Sequence, residues 1–82
     1  MIRLHSHALV RMLERGITEE EVKEAVMHGE SVDARLGRKM FRRNFVYNAM
    51  WLGRLYATKQ VEVVAIREDS DWIVITAIAK YF

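Results

Sequence analysis

A single change of period, at Gly29, constrains the fold of this chain more than any other feature. Before it the apolar residues recur at helical spacing, and after it they alternate with polar ones as strands do. A chain of this kind folds as helices first and a sheet second, which is the α+β class. In the first segment Leu9, Met12 and Leu13 are spaced as one helix face, Ser6 stands where an N-cap belongs, and Gly16 supplies a left-handed stop, so a helix is expected over about residues 7–15. The second segment opens on Thr18 with Glu21 three residues on, the pattern of a capping box. Its three glutamates suit the positive end of the helix dipole, Val22, Ala25 and Val26 make its apolar stripe, and Gly29 ends it. Joined by Gly16-Ile17, the two helices form a helical hairpin.

Beyond Gly29, "SVDARL" suits a short strand, and "KMFRRNFVYNAMW" puts Phe41, Arg43, Phe45 and Tyr47 opposite Met40, Arg42, Asn44 and Val46. Leu52-Gly53 reads as a turn, "VEVVAIRE" as a strand, and "DSD" as a tight polar turn. "WIVITAIAKYF" is apolar on both faces, so it belongs inside the sheet, covered on one side by the helices. Its alternation groups Trp72, Val74, Thr76, Ile78 and Lys80 on one face. The expected architecture is an N-terminal helical hairpin packed on an antiparallel sheet of about four strands. With 82 residues there is room for one core, hence a single domain over 1–82.

Composition excludes several functions. The chain has no cysteine, so disulfides, thiolate metal sites and a cysteine nucleophile are ruled out. It opens without the apolar segment of a secretory leader and has no run near the ~20 apolar residues that span a bilayer, so a cytoplasmic protein without a membrane partner is expected. His5 and His7 form an H-x-H pair, but with His28 they are too sparse a ligand set for a metal, and no cofactor motif is present.

The net charge of +2 conceals a segregation. Seven cations, Arg35, Arg38, Lys39, Arg42, Arg43, Arg54 and Lys59, fall between Ala34 and Gln60 with no acid among them, while acids gather in "TEEEVKE" and "REDSD". Such a stretch suits a polyanion. It equally suits a solvated strand face guarded against edge pairing. The first helix poses the same alternative. His7, Arg11 and Arg15 form a stripe one turn apart, starting at a helix N-terminus that favours anions. An imidazole placed there can accept a proton as a general base, and the arginines strengthen the preference for an anion, or the stripe is a polar face and no more.

"HALVRMLERGI", the Thr-capped "TEEEVKEAV", the "GE" boundary and the late "KQVEVVAIRE" and "WIVITAIAKYF" resemble a small bacterial and archaeal family catalogued only as a domain of unknown function. The chain is also similar to the RelE/ParE toxin superfamily. That likeness implies a toxin-like endoribonuclease, encoded beside an antitoxin, that cleaves RNA without metal by attack of the adjacent 2′-hydroxyl. It makes His7 the base or acid, Arg11 the phosphate clamp, Thr76 a hydrogen-bonding partner and Lys80 an electrostatic one. Arg15, Arg35, Arg38, Lys39, Arg42, Arg43 and Arg54 are then the candidate nucleic-acid contacts. RelE-type enzymes, however, rely on arginine, lysine and tyrosine near the chain end, and ParE-like members poison gyrase. A non-catalytic nucleic-acid- or protein-binding module is the alternative.

Overall fold

In a computed structural model covering all 82 residues, two helices lie on one face of a five-stranded mixed sheet. The elements are β1 (Ile2–Leu4), α1 (Ser6–Arg15), α2 (Glu19–His28), β2 (Glu30–Asp33), β3 (Lys39–Trp51), β4 (Arg54–Glu68) and β5 (Asp71–Tyr81). The sheet order is β1-β5-β4-β3-β2. The α+β class and the helical hairpin are as expected, and β5 does lie inside the sheet. The sheet has one strand more than expected and is not purely antiparallel, because β1 pairs in parallel with Trp72–Val74 of β5. No helix is long and apolar enough to cross a membrane.

The helix ends follow from local chemistry. α2 has the full capping box: Glu21 N–H donates to Thr18 Oγ1 at 3.1 Å, and Thr18 N–H donates to Glu21 Oε1 at 2.9 Å. α1 is capped by His5 rather than Ser6: the ring Nδ1 of His5 accepts the His7 N–H at 3.1 Å. Gly16 ends α1 at φ 70°, and a Cβ there would stand 2.5 Å from the Trp51 ring. Both the backbone angle and the packing therefore call for glycine at that position.

The core joins Ala8, Met12, Ile17, Val22 and Ala25 of the helical layer to Phe41, Val61, Val63, Ala65, Val74 and Ala77 of the sheet. The expected stripe on α1 is corrected here. Met12 is buried, but Leu9 is partly exposed and Leu13 is 84% exposed. Three bonds set the rotation of the helix: His5 N–H to the Val74 carbonyl at 2.9 Å, an Arg15 guanidinium N–H to the Ala77 carbonyl at 2.7 Å, and the Tyr81 hydroxyl to the Arg15 carbonyl at 2.8 Å. Tied to β5 at both ends, α1 turns small Ala8 and flexible Met12 to the sheet and the larger Leu9, Val10 and Leu13 outward.

Register fixes which residues share the uncovered face. Val61 and Val63 are buried beneath the helices, so Glu62 between them points to the other side. The two ladders beside β4 give three rows on that side: Arg42–Glu62–Ile78, Asn44–Gln60–Lys80 and Met40–Val64–Thr76. Pairing slips by one residue after Ala65–Val74, leaving Ile75 as a bulge before Thr76. Thr76, Ile78 and Lys80 therefore do not share a face with Trp72 and Val74, as simple alternation required.

Candidate active site on the open sheet face

Glu62 is the centre of this face. It is 6% exposed although it lies on the side without helices, and Lys80 Nζ stands 3.1 Å from its Oε1. Arg42 lies directly across from it on β3, and its guanidinium holds Glu30 at 3.6 Å. Thr76 and Lys80 flank Ile78 on β5, so both are diagonal neighbours of the carboxylate. One row further, Gln60 donates its amide to Asn44 at 2.9 Å. The arrangement gathers a carboxylate able to accept a proton, two cations able to stabilise charge on an oxyanion, and a hydroxyl and two amides able to orient a polar ligand.

At the margin of this face lies a recess of about 210 Å³, lined by His28, Glu30, Arg42, Arg43, Asn44 and Gln60, with no apolar side chain. It forms because β2 stops at Glu30, opposite Arg42, and leaves the rest of β3 without a partner on that side. Gly29 carries the chain from α2 into β2 so close to β3 that a Cβ would stand 2.5 Å from the Arg42 carbonyl. Arg43 donates to the His28 carbonyl at 3.3 Å and lies 4.0 Å from Glu24.

The site residues expected from sequence divide into two groups. Thr76, Lys80 and Arg42 come together around Glu62. His7 and Arg11 lie on α1, across the sheet from them, where His7 is exposed and Arg11 pairs with Glu14 at 3.0 Å. The set His7, Arg11, Thr76 and Lys80 thus does not converge. Arg15 is committed to the Ala77 carbonyl and braces α1. Arg35 and Arg38 flank the turn before β3, whereas Arg54 follows the turn after it, and the 13 residues of β3 separate them along a molecule 41 Å long. Lys39 lies 3.6 Å from Asp33. The acid-free stretch of sequence is therefore not acid-free in space, since β2 and α2 bring acids to it.

Lys59 leaves the basic surface altogether. Its side chain is 4% exposed, its Nζ donates to Glu21 Oε1 at 2.8 Å and to the Gly16 carbonyl, and it lies 5.6 Å and 5.7 Å from the Tyr47 and Tyr81 rings. Around it Trp51 stacks on Tyr81 with ring centres 5.0 Å apart. The Tyr81 phenol is pushed up to about 12 by burial first, then by Tyr47 and Glu21. A neutral phenol donating to a backbone carbonyl belongs to the framework that pins the helical hairpin to the sheet.

Sequence reasoning missed Glu62, and a signal for it existed. It is the one acid between Ala34 and Ile66, set in the otherwise apolar "VEVVAI". No curated protein and no solved structure matches the chain. Residues 4–79 match the family described as Domain of unknown function (DUF4258), and the chain belongs to that family.

Proposed function

We propose that this protein is a toxin-like endoribonuclease of the RelE/ParE kind that cleaves RNA at the open sheet face, with Glu62 as general base. The observation that carries the reading is the burial of a carboxylate on a face that no helix covers, between Arg42 and Lys80. Withdrawing a carboxylate from water is costly, and the apolar core on the other side of the sheet gains nothing from it. In the reaction, Glu62 takes the proton of an RNA 2′-hydroxyl, and the freed oxygen pair forms a bond to the adjacent phosphorus. The bond from phosphorus to the 5′-oxygen breaks, that oxygen leaves with a proton from water, and a 2′,3′-cyclic phosphate remains. Glu62 then returns its proton to solvent. Arg42 and Lys80 stabilise the charge on the non-bridging oxygens, and Thr76 donates to the phosphate or sugar. The nucleophile belongs to the substrate, so the chemistry requires no metal. The His7–Arg11 face of α1 takes no part.

A second reading rests on one observation: α1 turns Leu9, Val10 and Leu13 to solvent as a continuous apolar stripe. Such a stripe suits a protein partner, such as an antitoxin, and a module that binds without cleaving. Incubation of end-labelled RNA with purified protein and a chelator separates the two. Fragments ending in cyclic phosphate are expected. Intact RNA retained in a complex with the protein contradicts the nuclease and leaves the binding module.

A further inference from the structure

We infer that the open sheet face carries a seat for a purine base beside Glu62, and that this base belongs to the nucleotide whose 2′-hydroxyl Glu62 deprotonates. The tie to cleavage rests on the reading above, but the affinity of the seat for a base does not. The rows of the sheet locate it. Next to the row of Glu62 stands Asn44–Gln60–Lys80, and one row further stands Val46–Thr58–Phe82: Val46 lies opposite Thr58, and Thr58 and Phe82 exchange backbone hydrogen bonds of 2.7 and 3.0 Å. Each member of this last row adjoins a residue held on the helical side. Phe45 packs on the core, Lys59 is buried against Glu21, and the Tyr81 hydroxyl reaches the Arg15 carbonyl. Alternation therefore turns Val46, Thr58 and Phe82 to the open face.

Two features of this place point to a base. Val46 is 88% exposed and Phe82 58% exposed, so an aliphatic and an aromatic side chain face water where no element of the fold covers them. With the shorter Thr58 between them they form a shallow trough about 10 Å across, two strand spacings, which suits the fused rings of a purine better than the single ring of a pyrimidine. Beside the trough stands an amide pair. Gln60 donates to Asn44 Oδ1 at 2.9 Å, which fixes both amides and leaves one N–H and the carbonyl oxygen of Gln60, with the N–H groups of Asn44, for a ligand. Donors and an acceptor side by side match the edge of a purine, and the aromatic face next to them supplies stacking. Neighbouring rows on one face are about 7 Å apart, so a ribose over Glu62 sets its own base over Gln60 and the trough.

The test is an NMR titration of the isotope-labelled whole protein with four 2′-deoxy dinucleotides that differ only in the 5′ base and lack the attacking hydroxyl. The two with a 5′ purine should move the Gln60 and Asn44 side-chain amides, shift the Phe82 ring protons upfield, and bind about fivefold or more tightly than the two with a 5′ pyrimidine. Phe82→Ala should remove most of that difference. Gln60→Leu, which keeps the bulk without the amide, should reduce it while the Phe82 shift remains. In single-turnover cleavage of labelled RNA, both variants should lose about fivefold in rate after purines and less than about twofold after pyrimidines, a contrast that a loss of fold does not give. Equal binding of the four dinucleotides, tighter binding of a 5′ pyrimidine, or a purine preference unchanged in either variant overturns the seat. Purine-selective binding by a protein that cuts no RNA leaves the seat standing and removes the nuclease. Cleavage without preference for the base does the reverse.

Discussion

Glu62 and His7 illustrate how far single residues can be read. His7 is conspicuous in the sequence because it stands at a helix start with arginines one and two turns on, a purely local pattern. Glu62 is inconspicuous because its alternation marks it only as outward-facing, and its burial comes from side chains on β3 and β5 that no local pattern reveals. Two predictions belong at this scale. His7→Ala and Arg11→Ala should change RNA cleavage less than about threefold, measured as single-turnover rates; a loss of the ~10²–10⁴-fold typical of a missing acid or base would move the site to α1. Tyr81 supplies the second. A folded pKa raised above the unfolded value contributes stability that is present below pH 10 and lost as pH rises toward about 12. Absorbance titration should show a phenol step well above pH 10 that Tyr81→Phe removes, and the stability this phenol contributes should fall as pH rises past 10. A titration curve that Tyr81→Phe leaves unchanged above pH 10 would contradict the raised value.

At the scale of elements, what was legible is what is local. The capping box of α2, the Gly16 stop and the Leu52-Gly53 turn, with φ of 49° and 84°, each depend on a few neighbouring residues. β1 was not legible, since three residues are too few for a period and their partner lies some seventy positions away. Nor was the bulge at Ile75, which no glycine or turn residue announces, yet it decides the face on which Thr76 and Lys80 stand. The rotation of α1 was misread because Leu9 and Leu13 outweigh Ala8 by size, while hydrogen bonds to β5 set the orientation. The consequence can be measured by chemical unfolding. Met12→Ala should cost about 2–5 kcal/mol as a cavity in the core, whereas Leu13→Ala should stay within about 0.5 kcal/mol. Equal losses at the two positions would restore the helix orientation that the sequence suggests.

For the whole molecule, the question is how many cations meet a ligand at once. Read along the chain, seven basic residues form one block; folded, Lys59 is buried, Arg35 and Arg38 lie at the opposite end of β3 from Arg54, and Lys39 has an acid beside it. Arg42 and Lys80 are the cations at the site. The logarithm of RNA affinity should therefore fall with the logarithm of salt at a slope of about −1.4, −0.7 for each of two single-strand contacts. A slope near −5 would mean that the whole basic stretch binds, and a slope near zero would remove nucleic acid as the ligand. The central claim, that a carboxylate on the open sheet face is the base in RNA cleavage, is tested most directly by Glu62→Gln. The variant keeps the shape of the side chain and leaves Lys80, 60% exposed, free to be solvated, so its melting temperature should stay within a few degrees of wild type. Its single-turnover cleavage of labelled RNA in chelator should drop by ~10²- to 10⁴-fold, with loss of the cyclic phosphate product. A folded Glu62→Gln protein that cleaves at the wild-type rate contradicts the account.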